Sequence, residues 1–268
     1  MEPALVARIK QVVAGNFDES FAIYDEFEQR YGFFAALTRA LFRLTGLAEK
    51  SRVLDLGCGS GASSLVLARE FGCEVVGIDL SPKMVAHGRQ TIADPRVKLL
   101  VGDACDPAAA LAAAGETERF AAALYNASIF IIPEVEKSLP AAAACLEPGG
   151  VIAFSHYPEL VAADGSDLFA AAFARLGMPR PKKQTITDYA AARAGLAECC
   201  GQIREAVYER PLDLDFLIAF FSIPAQSASL FPRLDFGARK IRVRELFATL
   251  EPEAAGARMI WRLAAGRV

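Results

Sequence analysis

The chain has 268 residues, 53% of them hydrophobic and 23% charged, with a formal net charge of −3. This composition supplies a substantial core and excludes a chain disordered throughout. The near-neutral balance argues against a broad basic footprint for nucleic acid.

From Met1 to Phe17 the sequence is amphipathic, with Glu2, Arg8 and Lys10 breaking any apolar run, so no secretory signal is expected there. Phe17, Phe21, Tyr24, Phe27, Tyr31 and Phe34 then recur at three- and four-residue steps. That period predicts helix through residues 1–50, a helical cap. From Arg52 the pattern becomes strand alternating with helix. Val53 to Leu56 is a short apolar strand that runs into Gly57, Gly59 and Gly61, and Ser63 to Phe71 is the helix that follows. Glu74 to Asp79 is a second strand. Ser81-Pro82 opens the next helix, since serine caps and proline is tolerated in the first turn. Val97 to Val101, Phe120 to Tyr125 and Val151 to Ser155 are further strands, separated by an alanine-rich helix and by a helix over residues 134–146. Such alternation predicts an α/β fold with a parallel, doubly wound, Rossmann-like sheet.

Towards the end, Thr187-Asp188 opens a helix, Gln202 to Tyr208 reads as a strand and Met259 to Ala264 as the last one. Between those two strands lies a helical insertion, residues 211–250, rich in phenylalanine and carrying Arg233, Arg239, Lys240, Arg242 and Arg244. The organisation expected is a core over 51–210 completed by 251–268, with 211–250 as a lid over the site. The longest apolar stretch, Phe120 to Ile132, is interrupted by Asn126 and Ser128, and it falls short of the ~20 residues of a membrane span. A cytoplasmic protein is expected. Six cysteines without paired spacing and only two histidines give no reason to expect a metal site, and Cys199-Cys200 reads as two small buried residues.

The chemistry concentrates in Asp55-Leu56-Gly57-Cys58-Gly59-Ser60-Gly61. Glycines at a strand-to-helix turn let backbone approach a ligand, and the helix behind them presents free N–H groups and a positive dipole end. Gly57, Gly59 and Ala62 also fit the dinucleotide fingerprint, so a nicotinamide enzyme stays open at this point. Asp79, at the end of the second strand, suits the two hydroxyls of a ribose, or else it caps the next helix. His156, just past the fifth strand, is the candidate general base; contact with substrate and a purely structural role are its other readings.

Four stretches resemble class I S-adenosylmethionine-dependent methyltransferases of the ubiquinone-biosynthesis-like, type 11 branch. They are Asp55 with the glycine loop, Val76 to Met84, Gly102-Asp103-Ala104, and Leu146 to Gly150, in that order, with Asp55, Asp79 and Asp103 each 24 residues apart. The resemblance implies about seven strands with the last antiparallel, and S-adenosyl-L-methionine as cofactor. It implies that Asp55 and the backbone of Gly57, Gly59 and Gly61 hold the methionine end, with Asn126 facing it. Asp79 would bind the ribose, Leu80 and Met84 flank adenine, Asp103 and the Ala104 N–H read adenine's edge, and Tyr24 close over the cofactor. Methyl transfer to a small-molecule acceptor follows as the expected activity. A cofactor-binding protein without turnover, or a nicotinamide-dependent oxidoreductase, are the alternatives. The phenylalanines and arginines of the insertion suggest a lipophilic or aromatic acceptor with an anionic group. Oligomeric state is not readable.

Overall fold

The computed structural model describes residues 2–181, 185–251 and 255–268. Three helices come first, α1 (Pro3–Asp18), α2 (Phe21–Tyr31) and α3 (Phe33–Thr45). The alternating part follows as β1 (Arg52–Leu56), α4 (Ala62–Phe71), β2 (Glu74–Asp79), α5 (Pro82–Thr91), β3 (Val97–Val101), α6 (Pro107–Ala113) and β4 (Phe120–Tyr125). A 3-10 turn (Ile129–Ile131), α7 (Val135–Ala144), β5 (Leu146–Ser155), β6 (Glu159–Val161), α8 (Leu168–Arg175) and α9 (Tyr189–Cys199) come next. The chain closes with β7 (Gly201–Pro211), α10 (Leu214–Phe221), α11 (Pro224–Leu230), α12 (Phe236–Ala248) and β8 (Arg258–Arg267).

Six of the described helices start where the sequence supplies a side-chain acceptor. Ser81, Asp106, Asp167, Asp188, Asp213 and Asp235 each take the N–H three residues on, and each is followed by helix. Such caps satisfy otherwise orphaned donors, at about 1 kcal/mol apiece.

Strands β1 to β5 are parallel in the order β3-β2-β1-β4-β5, and β8 lies antiparallel against β5. The order runs outward from β1 in both directions, which opens a crevice at the carboxyl ends of β1 and β4. Each strand alternates between two apolar layers. Val53, Val75, Leu124 and Ala153 face α3 and the α10–α12 helices, while Leu54, Val76, Tyr125 and Phe154 face α7 and α9. Burial on both faces is why these strands read as nearly continuous apolar runs.

The sheet has eight strands rather than seven. The addition, β6, pairs three residues with β8 beside the end of β5, too short a run to stand out by its period. Helix α8 was likewise not anticipated. Two boundaries also shift. Leu37, Leu41 and Phe42 of α3 are buried, and α3 packs on β5, β7 and β8, so it belongs to the core and not to a separate cap. Within the insertion, Phe216, Phe220, Phe221 and Phe247 are buried in the same layer as Trp261 of β8. Phe220 lies 5.7 Å from Phe33 and 6.2 Å from Trp261, ring centre to ring centre. These side chains build core: each fully buried ring of this kind contributes about 1.5–3 kcal/mol.

Candidate active site

Strand β1 delivers the glycine loop to the crevice. Gly57 has φ +75°, and a Cβ there would stand 2.5 Å from Ser128 Cβ, so only glycine fits. The Gly57 N–H donates to the Ile78 carbonyl oxygen at 2.8 Å, tying the loop to the end of β2. Asp79 completes that tie. Its Oδ2 accepts the Gly59 N–H and its Oδ1 the Ser81 N–H, both at 2.8 Å. Burial raises the Asp79 pKa against the pull of these two N–H groups. The residue thus holds the loop and the start of α5 together, and each carboxylate oxygen retains a further acceptor position.

Asp55 lies fully inside, where its Oδ2 accepts the Ser64 hydroxyl at 2.7 Å. Burial pushes its pKa up to about 7; the Ser64 bond opposes the shift and the Asp79 charge adds to it. Desolvation disfavours the charged form, so near neutral pH this carboxyl is ionised only in part.

The end of β4 is held by a polar network. Asn126 Nδ2 donates to Thr38 Oγ1 at 2.9 Å and Ser63 Oγ at 2.8 Å, and its Oδ1 accepts from Ser155 Oγ at 3.0 Å. Ser155 Oγ in turn accepts the Ala127 N–H at 2.7 Å. Asn126 faces the cavity, but its side chain is spent on structure.

At the end of β3, Asp103 Oδ1 accepts the Cys105 N–H at 2.8 Å, and Oδ2 accepts from Lys10 Nζ at 2.8 Å. Two small cavities meet over this line of residues. One is lined by Gly57, Asp79, Leu80, Asp103 and Ala104, roofed by Val13 and Phe17 of α1. The other is lined by Tyr24, Gly57, Gly59, Ser63, Met84 and Asn126. Phe17 borders both and stacks on Tyr24 at 5.9 Å. The Tyr24 hydroxyl accepts from Gln226 Nε2 at 2.9 Å, and burial raises its pKa.

Most residues singled out in the sequence therefore converge, with exceptions; Asp55 is one, buried and lining neither cavity. Gly61 faces Ile92 and Leu99, so its role is packing at the start of α4. Leu80 and Met84 line different cavities rather than flanking one site together. His156 lines neither cavity. It is buried with Nε2 against the Thr187 carbonyl oxygen at 3.0 Å and its ring edge-on to Phe130 and Tyr189, and it borders a separate open cleft. Burial lowers its pKa. His87 is half-buried against Phe21 and pairs with Asp25. None of the insertion's residues lines either cavity; the insertion reaches them through the Gln226–Tyr24 bond. Its basic residues serve the surface instead. Arg242 pairs with Glu245 at 2.7 Å, Arg239 donates to the Phe231 carbonyl oxygen, and Arg233, Lys240 and Arg244 are exposed. Sequence reasoning missed Lys10 and Phe17, because nothing in the local pattern ties α1 to strand ends tens of residues away.

Residues 53–150 match the family model described as a methyltransferase domain. The chain is 30% identical over 151 residues to aklanonic acid methyltransferase from a Streptomyces strain, covering 54% of this chain and 65% of that one. It is 35% identical over 109 residues to trans-aconitate 2-methyltransferase of Variovorax paradoxus, 40% of this chain and 39% of the relative. The chain thus spans less than two thirds of the length of either relative. In fold it resembles geranyl diphosphate C-methyltransferase from Streptomyces coelicolor, solved with Mg2+, geranyl diphosphate and S-adenosyl-L-homocysteine, with a TM-score of 0.51 at 18% identity over 86% of this chain and 78% of that one. Over residues 53–150, where Asp55, Asp79 and Asp103 stand in line at the strand ends, the chain is similar to methyltransferase domains.

Proposed function

We propose that the protein transfers a methyl group from S-adenosyl-L-methionine to a small-molecule acceptor. One observation carries this reading: the acceptors Asp79 and Asp103 line one cavity with Gly57, which has no room for a side chain, and Asp55 is buried near the end of β1 with the Ser64 hydroxyl on its carboxylate. These groups suit the cofactor's parts in sequence. Asp55 would take the methionine amino group, the backbone around Gly57 and Gly59 would leave room for that moiety, Asp79 would take the ribose hydroxyls, and Asp103 with the Ala104 N–H would take the adenine edge. The cofactor supplies a methyl group already activated on a sulfonium, so the protein's contribution is placement. Holding acceptor and methyl in line accounts for much of the rate in such a displacement. His156 has no part in this reading, because it borders a separate cleft and its Nε2 is engaged by the Thr187 carbonyl oxygen. The acceptors named for the two relatives, aklanonic acid and trans-aconitate, are both small molecules, which supports the acceptor class.

Incubation with radiolabelled methyl donor and a fractionated extract tests the proposal. Label is expected in the small-molecule fraction. Label confined to protein or RNA would contradict it.

A further inference from the structure

Lys10 of α1 lines the first cavity together with Asp103 and Pro133. Its Nζ donates to Asp103 Oδ2 at 2.8 Å and to Glu134 Oε2 at 3.0 Å, bridging the end of β3 to the start of α7. Only 18% of the side chain is exposed, and Glu134 is held from its other side by Lys137. Burial disfavours the ammonium, but the bonds from Asp103 and Glu134 outweigh that and hold the Lys10 pKa above its ordinary value. Further along the same helix, Asp18 accepts from the Ser81 hydroxyl and from the Lys83 N–H at the start of α5. On α2, Asp25 meets His87 and accepts from Ser60 Oγ at 3.3 Å. The helices α1 and α2 are therefore fastened to each of the three loops that make the cofactor crevice.

Resting on the function proposed above, we infer that Lys10 is a gate for the cofactor: its bridge from Asp103 to Glu134 must open for the cofactor to enter or leave. The bridge forms from protein groups alone. Asp103 spends two acceptor positions on the Cys105 N–H and Lys10, and a carboxylate has about four. Adenine's amino group can therefore share Asp103 with Lys10, and the bridge is the same with or without it. A contact made equally in both states changes the rates of exchange more than the affinity.

The test is stopped-flow or surface-based kinetics of S-adenosylhomocysteine binding. Lys10→Met is expected to speed association and release together by about tenfold, leaving Kd within about threefold. In the wild type, release quickens as salt rises to roughly 0.5 M, and in Lys10→Met that salt dependence is lost. Lys10→Arg keeps the charge and stays close to wild type. Glu134→Gln, which loosens one arm only, shifts both rates in the same direction by less. Unchanged rates in Lys10→Met overturn the inference, as does a loss of affinity carried by release alone, which would make Lys10 an ordinary contact. Absence of S-adenosylhomocysteine binding to the wild type removes the functional reading itself, and the gate with it.

Discussion

Asp55 meets opposing demands from folding and binding. Its carboxyl titrates near 3.9 in an unfolded chain and near 7 in the folded one, so folding favours the protonated acid. The stabilisation this brings is fully present at low pH and lost as pH rises through 7, where the buried charge costs about 2–4 kcal/mol. Asp55→Asn removes that cost. The variant is expected to melt at a higher temperature than wild type at pH 8, with the gain shrinking towards pH 4. It is also expected to lose S-adenosylhomocysteine binding. Wild-type affinity should itself fall below pH 7, by up to about tenfold per unit, as Asp55 takes up its proton. Melting and titration series between pH 5 and 8 check both statements, and an affinity flat across that range would rule out Asp55 as the amino-group partner. Asp79→Ala should raise the Kd for S-adenosylhomocysteine at least about tenfold, since bonds to a charged acceptor contribute roughly 1.5–3 kcal/mol each. An unchanged Kd in a folded variant would end the ribose role. For His156, His156→Gln can still donate to Thr187, and turnover should stay within about tenfold of wild type. Loss of a true general base would cost roughly 10²–10⁴.

At the scale of elements, the insertion between β7 and β8 is the clearest difference between what the sequence suggests and what packing makes of it. A run such as Phe216, Phe220 and Phe221 has the same composition whether it lines a pocket or fills a core; Phe27, Phe33 and Trp261, against which it packs, decide the matter. Phe220→Ala should cost about 3–5 kcal/mol of stability, read as a lower melting temperature. At a temperature where the variant is still folded, S-adenosylhomocysteine affinity should match wild type. Full stability with impaired binding would restore the insertion as a lid. By contrast, the glycine loop, the Ser81 cap and the strand ends at Asp55, Asp79 and Asp103 were legible, because each rests on a backbone rule that acts over a few residues. The aspartate caps at positions 167, 213 and 235 obey the same rule and were available to a closer reading.

Across the whole molecule, the parallel sheet was readable from alternation because most of its strands are apolar on both faces and β1, β2 and β3 end at a glycine or an acid. What joins distant segments was not. Lys10 and Asp103 stand 93 residues apart, and only the docking of α1 across the crevice brings them within hydrogen-bond distance. β6 and the core role of α3 escaped for the same reason, since both are defined by their partners in β8. The proposed cofactor site lies at the carboxyl ends of β1, β2 and β3, where two small cavities meet under α1 and α2. Calorimetric titration of the purified protein with S-adenosylhomocysteine, and separately with NAD, tests this account most directly. One S-adenosylhomocysteine per chain with a Kd in the micromolar range, and no heat from NAD, is the predicted result. Binding of NAD with none of S-adenosylhomocysteine would contradict it.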